Sequence, residues 1–246
     1  MKNTGKLYVV GIGPGAYEDM TIRAVKALEE SQVIVGYTVY VDLVREHFPG
    51  KEILSTPMRR EQERCQLAIN EAKKGKTVAM VCSGDSGVYG MSGLILEMAE
   101  TDAELEIQVI PGVTAALSGG ALLGAPLGHD FTVISLSDLL TPMELIEERL
   151  RRSAQADMIL CIYNPASKKR ADYLKRACEI VMEYKSPETV CGFVKNISRE
   201  EEDVEILSLE QLSEAQVDMF TTVYIGNSMT KEIRGRMVTP RGYKNV

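Results

Sequence analysis

Short apolar runs alternate with longer stretches of helical spacing along the first half of the chain. Residues 6–11 and 77–81 are apolar almost throughout, the pattern of strands buried on both faces of a sheet. Further strands are predicted at 32–36, 51–55 and 107–110. Between them, residues 21–30, 60–74 and 94–99 place apolar side chains at helical spacing. In the longest of these, Cys65, Leu67, Ala68 and Ala72 fall on overlapping faces, and Gly75 stands where a helix ends. Strands separated by helices predict a mostly parallel sheet covered on both faces.

Pro111-Gly112 closes this series, and Thr114 is placed to cap a short helix rich in alanine and glycine. A second series begins beyond Pro126. Strands are predicted at 131–136, 158–163 and 190–194, with helices at 142–152 and 168–184. The helix opening at Thr141-Pro142-Met143-Glu144 reads as a cap, a proline at N1 and a glutamate at N3. Two more strands, 203–208 and 221–226, flank a short helix, and residues 234–246 read as a tail. The pattern gives an α/β protein of two domains, 1–114 and 115–246, with an active-site cleft expected between them.

Composition narrows the function classes. A net charge of -7 over 246 residues, with no long basic stripe, argues against a nucleic-acid partner. The five cysteines form no C-x-x-C pair and are odd in number, which points to reduced thiols and a cytoplasmic setting. His47 and His129 stand far apart, so no metal-ligand spacing is seen and no metal site is expected. No signal peptide is read at the N-terminus. The weakly polar stretch 115–127 is interrupted by Ser118, Pro126 and three glycines, so no membrane span is expected.

The richest local signal is Ser83-Gly84-Asp85-Ser86-Gly87-Val88-Tyr89-Gly90-Met91, directly after an apolar strand. Glycine-rich loops at the carboxyl ends of strands are where open α/β sheets bind small molecules, and the glycines let backbone approach a ligand. Gly11-Ile12-Gly13-Pro14-Gly15-Ala16 formally fits the dinucleotide fingerprint, but its context does not. The second strand ends in Gly36-Tyr37, where a ribose-binding acid is wanted, and Glu18-Asp19 would repel a pyrophosphate. Gly75-Lys76-Thr77 precedes a strand, so it reads as a helix stop and not a P-loop. Asn164-Pro165-Ala166-Ser167-Lys168-Lys169-Arg170 puts three cations at an expected helix start, against the helix dipole, which invites an anionic partner or is a solvated run. Arg59 and Arg60 stand at another helix start, with Arg64 one turn on. His129-Asp130 precedes a strand of the second domain, where such a pair is more often structural than catalytic.

Together these segments resemble the tetrapyrrole methylase family. The resemblance rests on Val10-Gly11-Ile12-Gly13-Pro14-Gly15, Ser83-Gly84-Asp85, Pro111-Gly112-Val113-Thr114 and the strand 221–226, in the family's order and across nearly the whole chain. Where the family loop commonly reads Gly-Asp-Pro, this chain has Gly84-Asp85-Ser86. Three longer segments resemble the branch that methylates C-17 of precorrin-3B or its cobalt counterpart, cobalt-factor III. They are the loop Ser83 to Met91, the stretch His129-Asp130-Phe131 through Thr141-Pro142, and Tyr163-Asn164-Pro165 with its basic tail.

The resemblance implies a methyl transfer from S-adenosylmethionine to C-17 of the macrocycle, with ring contraction, in cobalamin biosynthesis. It implies a donor site lined by Pro14, Ser83, Gly84, Asp85, Val88, Thr114 and Ala115, with Asn164, Asn196 and Thr222 from the second domain. It suggests His129 or Asp130 for the proton movement, Arg59, Arg60, Lys168, Lys169 and Arg170 for the substrate carboxylates, and a homodimer. Whether the tetrapyrrole carries cobalt stays open. Two other classes also remain: a tetrapyrrole carrier without catalysis would not need the donor loop, and a nicotinamide-dependent reductase would need the missing ribose acid.

Overall fold

The computed structural model describes residues 5–167 and 172–244. The chain divides into two compact units, Met1–Thr114 and Ala115–Val246.

The first unit is a five-stranded parallel sheet. Its strands are β1 (Lys6–Gly11), β2 (Val33–Tyr37), β3 (Glu52–Thr56), β4 (Thr77–Cys82) and β5 (Glu106–Ile110), in spatial order β3-β2-β4-β1-β5. The helices are α1 (Ile22–Glu30), α2 (Thr38–Arg45), α3 (Glu61–Lys73) and α4 (Ser92–Met98). Alternation along the strands divides the core. Tyr8, Val10 and Ile34 pack with Leu28 of α1 and Val41 of α2, whereas Leu7, Val9, Val33 and Met80 pack with Ile69 of α3 and Ile95 of α4. Both faces are therefore dry, which is why these strands read as continuous apolar runs. The pattern analysis missed α2, which starts directly where β2 ends and has no punctuating residue before it.

The mostly parallel sheet expected from the first series is present in the first unit, whereas the second unit has a mixed sheet. Its elements are α5 (Ala115–Leu123), β6 (Gly124–Ala125), β7 (Phe131–Ser135), α6 (Met143–Gln155), β8 (Ile159–Tyr163), α7 (Tyr173–Met182), β9 (Val190–Lys195), β10 (Asp203–Ser208), α8 (Leu209–Ser213) and β11 (Thr221–Ile225). The large sheet runs β10-β9-β11-β8-β7, and only the β7–β8 pair is parallel. Antiparallel neighbours such as β9 and β10 need only a short connection, and periodicity alone does not reveal strand direction. One face is covered by α6, α7 and α8, the other by α5 and Met237.

The expected tail also forms structure. β12 (Lys231–Ile233) and β13 (Arg236–Val238) make a hairpin, and β13 pairs with β6. Arg234 and Gly235, the two loop residues, both have positive φ, the geometry of a two-residue hairpin turn. Helix starts differ in detail as well. Pro142 is the N-cap of α6 and not its first helical residue, and the described part of α7 begins at Tyr173. No helix among the described residues is long and apolar enough to cross a membrane.

Candidate active site

Three strand ends converge at the carboxyl edge of the first sheet. β4 and β5 both pair with β1, so the loops after β1, β4 and β5 start side by side. Gly13 N–H donates to the Gly84 carbonyl at 3.1 Å, and Gly84 N–H donates back to the Gly13 carbonyl at 2.7 Å. Both glycines have positive φ, which suits a residue without Cβ. Contact is closest at Gly112, where an added Cβ would lie 2.2 Å from the Gly84 oxygen and 2.6 Å from the Gly11 carbonyl carbon. These glycines thus serve loop-on-loop packing of backbone, in addition to any approach by a ligand.

Asp85 organises the same knot. One carboxylate oxygen accepts Gly87 N–H at 2.8 Å and Val88 N–H at 3.2 Å, and the other accepts Gly112 N–H at 3.0 Å. A single carboxylate therefore ties the β4 loop to the β5 loop through charge-assisted bonds. Ser86, in the place of the family's common proline, is fully buried and donates its hydroxyl to the Ile110 carbonyl at 3.1 Å. The departure from Gly-Asp-Pro thus adds a tether to β5. Pro14 is buried and Ser83 half-buried, and Val88 stands 36% exposed at the loop's crest. Burial pushes the Cys82 thiol up to about 11, with Met91's backbone and the Arg64 charge acting the other way, so this thiol stays neutral. The β1 loop runs into a single 3-10 turn at Tyr17–Asp19, and α1 begins only at Ile22.

A second cluster forms at one edge of the second unit's sheet. Parallel β7 and β8 end together at Ser135 and Tyr163, and antiparallel β11 begins at that edge, with Thr222 opposite Val194. Asn164 and Asn196 follow β8 and β9, both with positive φ, which asparagine tolerates better than most residues. Asn164 Nδ2 donates to Ser135 Oγ at 2.9 Å. Thr222 is buried. The first turn of α5 is fastened here too: Ala116 N–H donates to Tyr163 Oη at 2.7 Å, and Tyr224 Oη lies 2.7 and 3.0 Å from the carbonyls of Ala115 and Ala116. Burial drives the Tyr224 phenol far upward, so it remains a donor. Tyr163 stood in a recognised segment, but neither tyrosine was given a role from sequence. The available signal was a phenol at the end of, or inside, an otherwise apolar strand, since a buried hydroxyl demands a partner.

His129 and Asp130 are not in that cluster. They precede β7, at the opposite end of the sheet, and the five residues of β7 span roughly 16 Å at about 3.3 Å each. They border an open depression of about 650 Å³ with Phe131, Met158, Asn227 and Met229. Asp157, also in its lining, is ion-paired: Lys185 Nζ donates to Asp157 Oδ1 at 2.9 Å, and the Ser228 hydroxyl donates to Oδ2 at 2.6 Å. Arg59 and Arg60 are exposed just before α3. Arg59 has φ 67, and Arg60 pairs with Glu63 at 3.3 Å. Lys168, Lys169 and Arg170 lie outside the described residues.

A family model described as tetrapyrrole (corrin/porphyrin) methylases matches residues 6–213. The chain belongs to the tetrapyrrole methylase family. Tetrapyrrole methylases use S-adenosylmethionine as methyl donor. A probable cobalt-factor III C(17)-methyltransferase of Salmonella typhimurium is 44% identical, over 96% of this chain and 99% of that protein. The cobalt-factor III methyltransferase of Priestia megaterium is also 44% identical, over 98% of this chain, which spans only 45% of that longer protein. Among solved structures, the methyltransferase CobJ matches with a TM-score of 0.88 at 36% identity, covering 96% of this tetrapyrrole methylase and 100% of that chain.

Proposed function

We propose that this protein transfers a methyl group from S-adenosylmethionine to C-17 of a precorrin-3B-type or cobalt-factor III macrocycle, with contraction of the ring, in cobalamin biosynthesis. The observation that carries the reading is 44% identity to a probable cobalt-factor III C(17)-methyltransferase over 96% of this chain and 99% of that protein. The backbone knot at Gly13, Gly84 and Gly112 supports it independently, because it is a preformed, rigid shelf at the ligand edge of an α/β sheet.

The residues present fit the donor. The β4 loop offers Ser83, Gly84, Asp85 and Val88 as proposed donor contacts, with Pro14 and Thr114 beside them, and the Asp85 carboxylate ties this loop to the β5 loop. When bound, the donor supplies a methyl group on a sulfonium: the new carbon–carbon bond forms as the carbon–sulfur bond breaks, and the electron pair leaves with sulfur. The chain's task is then to orient and to exclude water, and a rigid shelf does both at small entropic cost. On the second unit, Asn164, Asn196, Thr222 and Ala115 are the proposed donor contacts. Arg59, Arg60, Lys168, Lys169 and Arg170 are proposed for the macrocycle's carboxylates.

His129 and Asp130 keep their proposed role in proton movement, and their distance from Asn164 makes that role testable. Replacing both by asparagine should slow ring contraction and leave donor affinity unchanged; weakened donor binding would contradict the assignment. A cytoplasmic homodimer is the proposed setting, checked by light scattering on the purified chain. The reaction itself is tested by mass spectrometry after incubation with the donor and either metal-free or cobalt-containing macrocycle. A product heavier by one methyl group at C-17 is expected from one of them, and no methylation of either would sink the reading.

A further inference from the structure

Arg64 sits in the first turn of α3 and is only 5% exposed. Its Nε donates to Thr56 Oγ1 at 3.0 Å and its Nη2 to the Pro57 carbonyl at 3.2 Å. The guanidinium carbon lies 5.8 Å from the centre of the Tyr37 ring. All three partners are neutral. Among the described residues, none of the ion pairs includes Arg64. The acids of its own first turn are turned elsewhere: Glu61 accepts Arg59 N–H at 3.2 Å, and Glu63 pairs with Arg60.

A guanidinium withdrawn from water without a counter-ion is costly, and such charges are normally paired. The two bonds that fasten the β3–α3 connection do not require a charge, since the amide of a glutamine can donate such bonds as well. The charge therefore needs another explanation. Two of the five N–H donors are used, and Nη1 makes no hydrogen bond. That nitrogen still reaches solvent: among the described residues the one sealed side-chain polar atom without a hydrogen bond is Glu147 Oε1, which ion-pairs with Arg176. Tyr37 and Thr56 are the last residues of β2 and β3, so the free edge of the fork lies at the carboxyl edge of the parallel sheet.

We propose that Arg64 is the receptor for a ligand carboxylate at this edge. The inference rests on the methyltransferase reading, which supplies two sources of that group: the amino-acid carboxylate of the methyl donor and the acidic side chains of the macrocycle. The planar fork suits a carboxylate held by two parallel bonds, and a ligand covering Nη1 would complete the burial of the pair. In this role Arg64 differs from exposed Arg59 and Arg60, whose charges water screens.

The test compares the full-length wild type with Arg64→Gln for three probes. They are S-adenosylhomocysteine, methylthioadenosine (the same thioether nucleoside without the amino-acid carboxylate) and uroporphyrin III. Calorimetry serves the first two and fluorescence quenching the third. At least a tenfold loss is expected for one carboxylate-bearing probe, with methylthioadenosine unaffected, and the probe that loses affinity names the source. Unchanged affinity for both acids, or equal loss of all three probes, overturns the inference while leaving the methyltransferase reading intact. Wild type that binds neither acid removes both. Should the glutamine variant not fold, the Arg64 Nε–H resonance of wild type, identified by its absence in Arg64→Lys, must shift on adding a probe that binds. A stationary resonance then overturns the proposal.

Discussion

The two sheets carry candidate residues at one edge each, but they fasten those edges by different chemistry. In the first unit, backbone meets backbone: Gly13 pairs with Gly84, and Gly112 lies against both Gly84 and Gly11. In the second, side chains do the fastening: Tyr163 and Tyr224 hold the first turn of α5, and Asn164 reaches Ser135. The difference follows from strand direction. Three adjacent parallel strands deliver three loops to the same edge, leaving space only for glycine. In the mixed sheet the antiparallel β11 starts where β8 and β9 end, so loops are fewer and hydroxyls fill the gaps. A glycine edge is rigid and intolerant of added atoms; a hydroxyl edge tolerates small losses one bond at a time.

The sharpest way to break this comparison is Gly112→Ala. Its Cβ would lie 2.2 Å from a backbone oxygen that cannot step aside. A loss of about 3 kcal/mol, the upper range for overpacking, is expected in thermal or denaturant unfolding. Donor affinity should fall with it. A variant as stable as wild type would show that the knot yields.

Tyr224→Phe comes next. It leaves two carbonyls of α5 without their buried donor, at a cost of about 1–3 kcal/mol. Faster hydrogen exchange should be confined to 115–125. Exchange that also rises at 83–91 would contradict separate fastening. Ser86→Ala should cost less, about 1 kcal/mol, since it removes one neutral hydrogen bond to Ile110. Calorimetric unfolding of that variant measures whether the serine replaces what a proline supplies elsewhere in the family.

These variants also show what was legible in the sequence. Glycine and apolar runs announce a parallel sheet, so β1, β4 and their loops could be read from the chain directly. Asp85 stood inside the recognised motif, but its bond to Gly112 depends on where the β5 loop arrives, which only the topology decides. The antiparallel order of the second sheet was hidden, because alternation carries no direction. So was the β12–β13 hairpin: Arg234 at positive φ is not a residue that signals a turn. Asn164, Asn196 and Thr222 were named from family resemblance, and the structure brings them to one edge. Arg64 was visible only as a basic residue in a helix start, since burial without a counter-ion is invisible in a string of letters.

The smallest expected effect concerns pH. Burial works to raise the Asp157 carboxyl, but the Ser228 hydroxyl, Lys185 and the Ser228 N–H outweigh it and hold the group below its usual value. A carboxyl lowered on folding binds protons more readily when unfolded. Its contribution is therefore full above the unfolded value near 3.9 and fades as pH falls through the lower folded value. Half-exposed Asp157 is partly screened, so the slope should be shallow. Asp157→Asn should flatten the acid limb of stability between pH 5 and pH 2, as followed by circular dichroism. An unchanged limb would mean that Lys185, whose side chain is 3% exposed, is satisfied without it.

The most direct measurement of the central claim is hydrogen exchange with and without S-adenosylhomocysteine. The glycine edge as donor shelf predicts slowed exchange at residues 11–16, 83–91 and 112–116, with the segments 128–131 and 226–230 unaltered. Protection centred on His129 and Asn227, with the three loops unchanged, would place the donor at the other end of the second sheet and contradict the account.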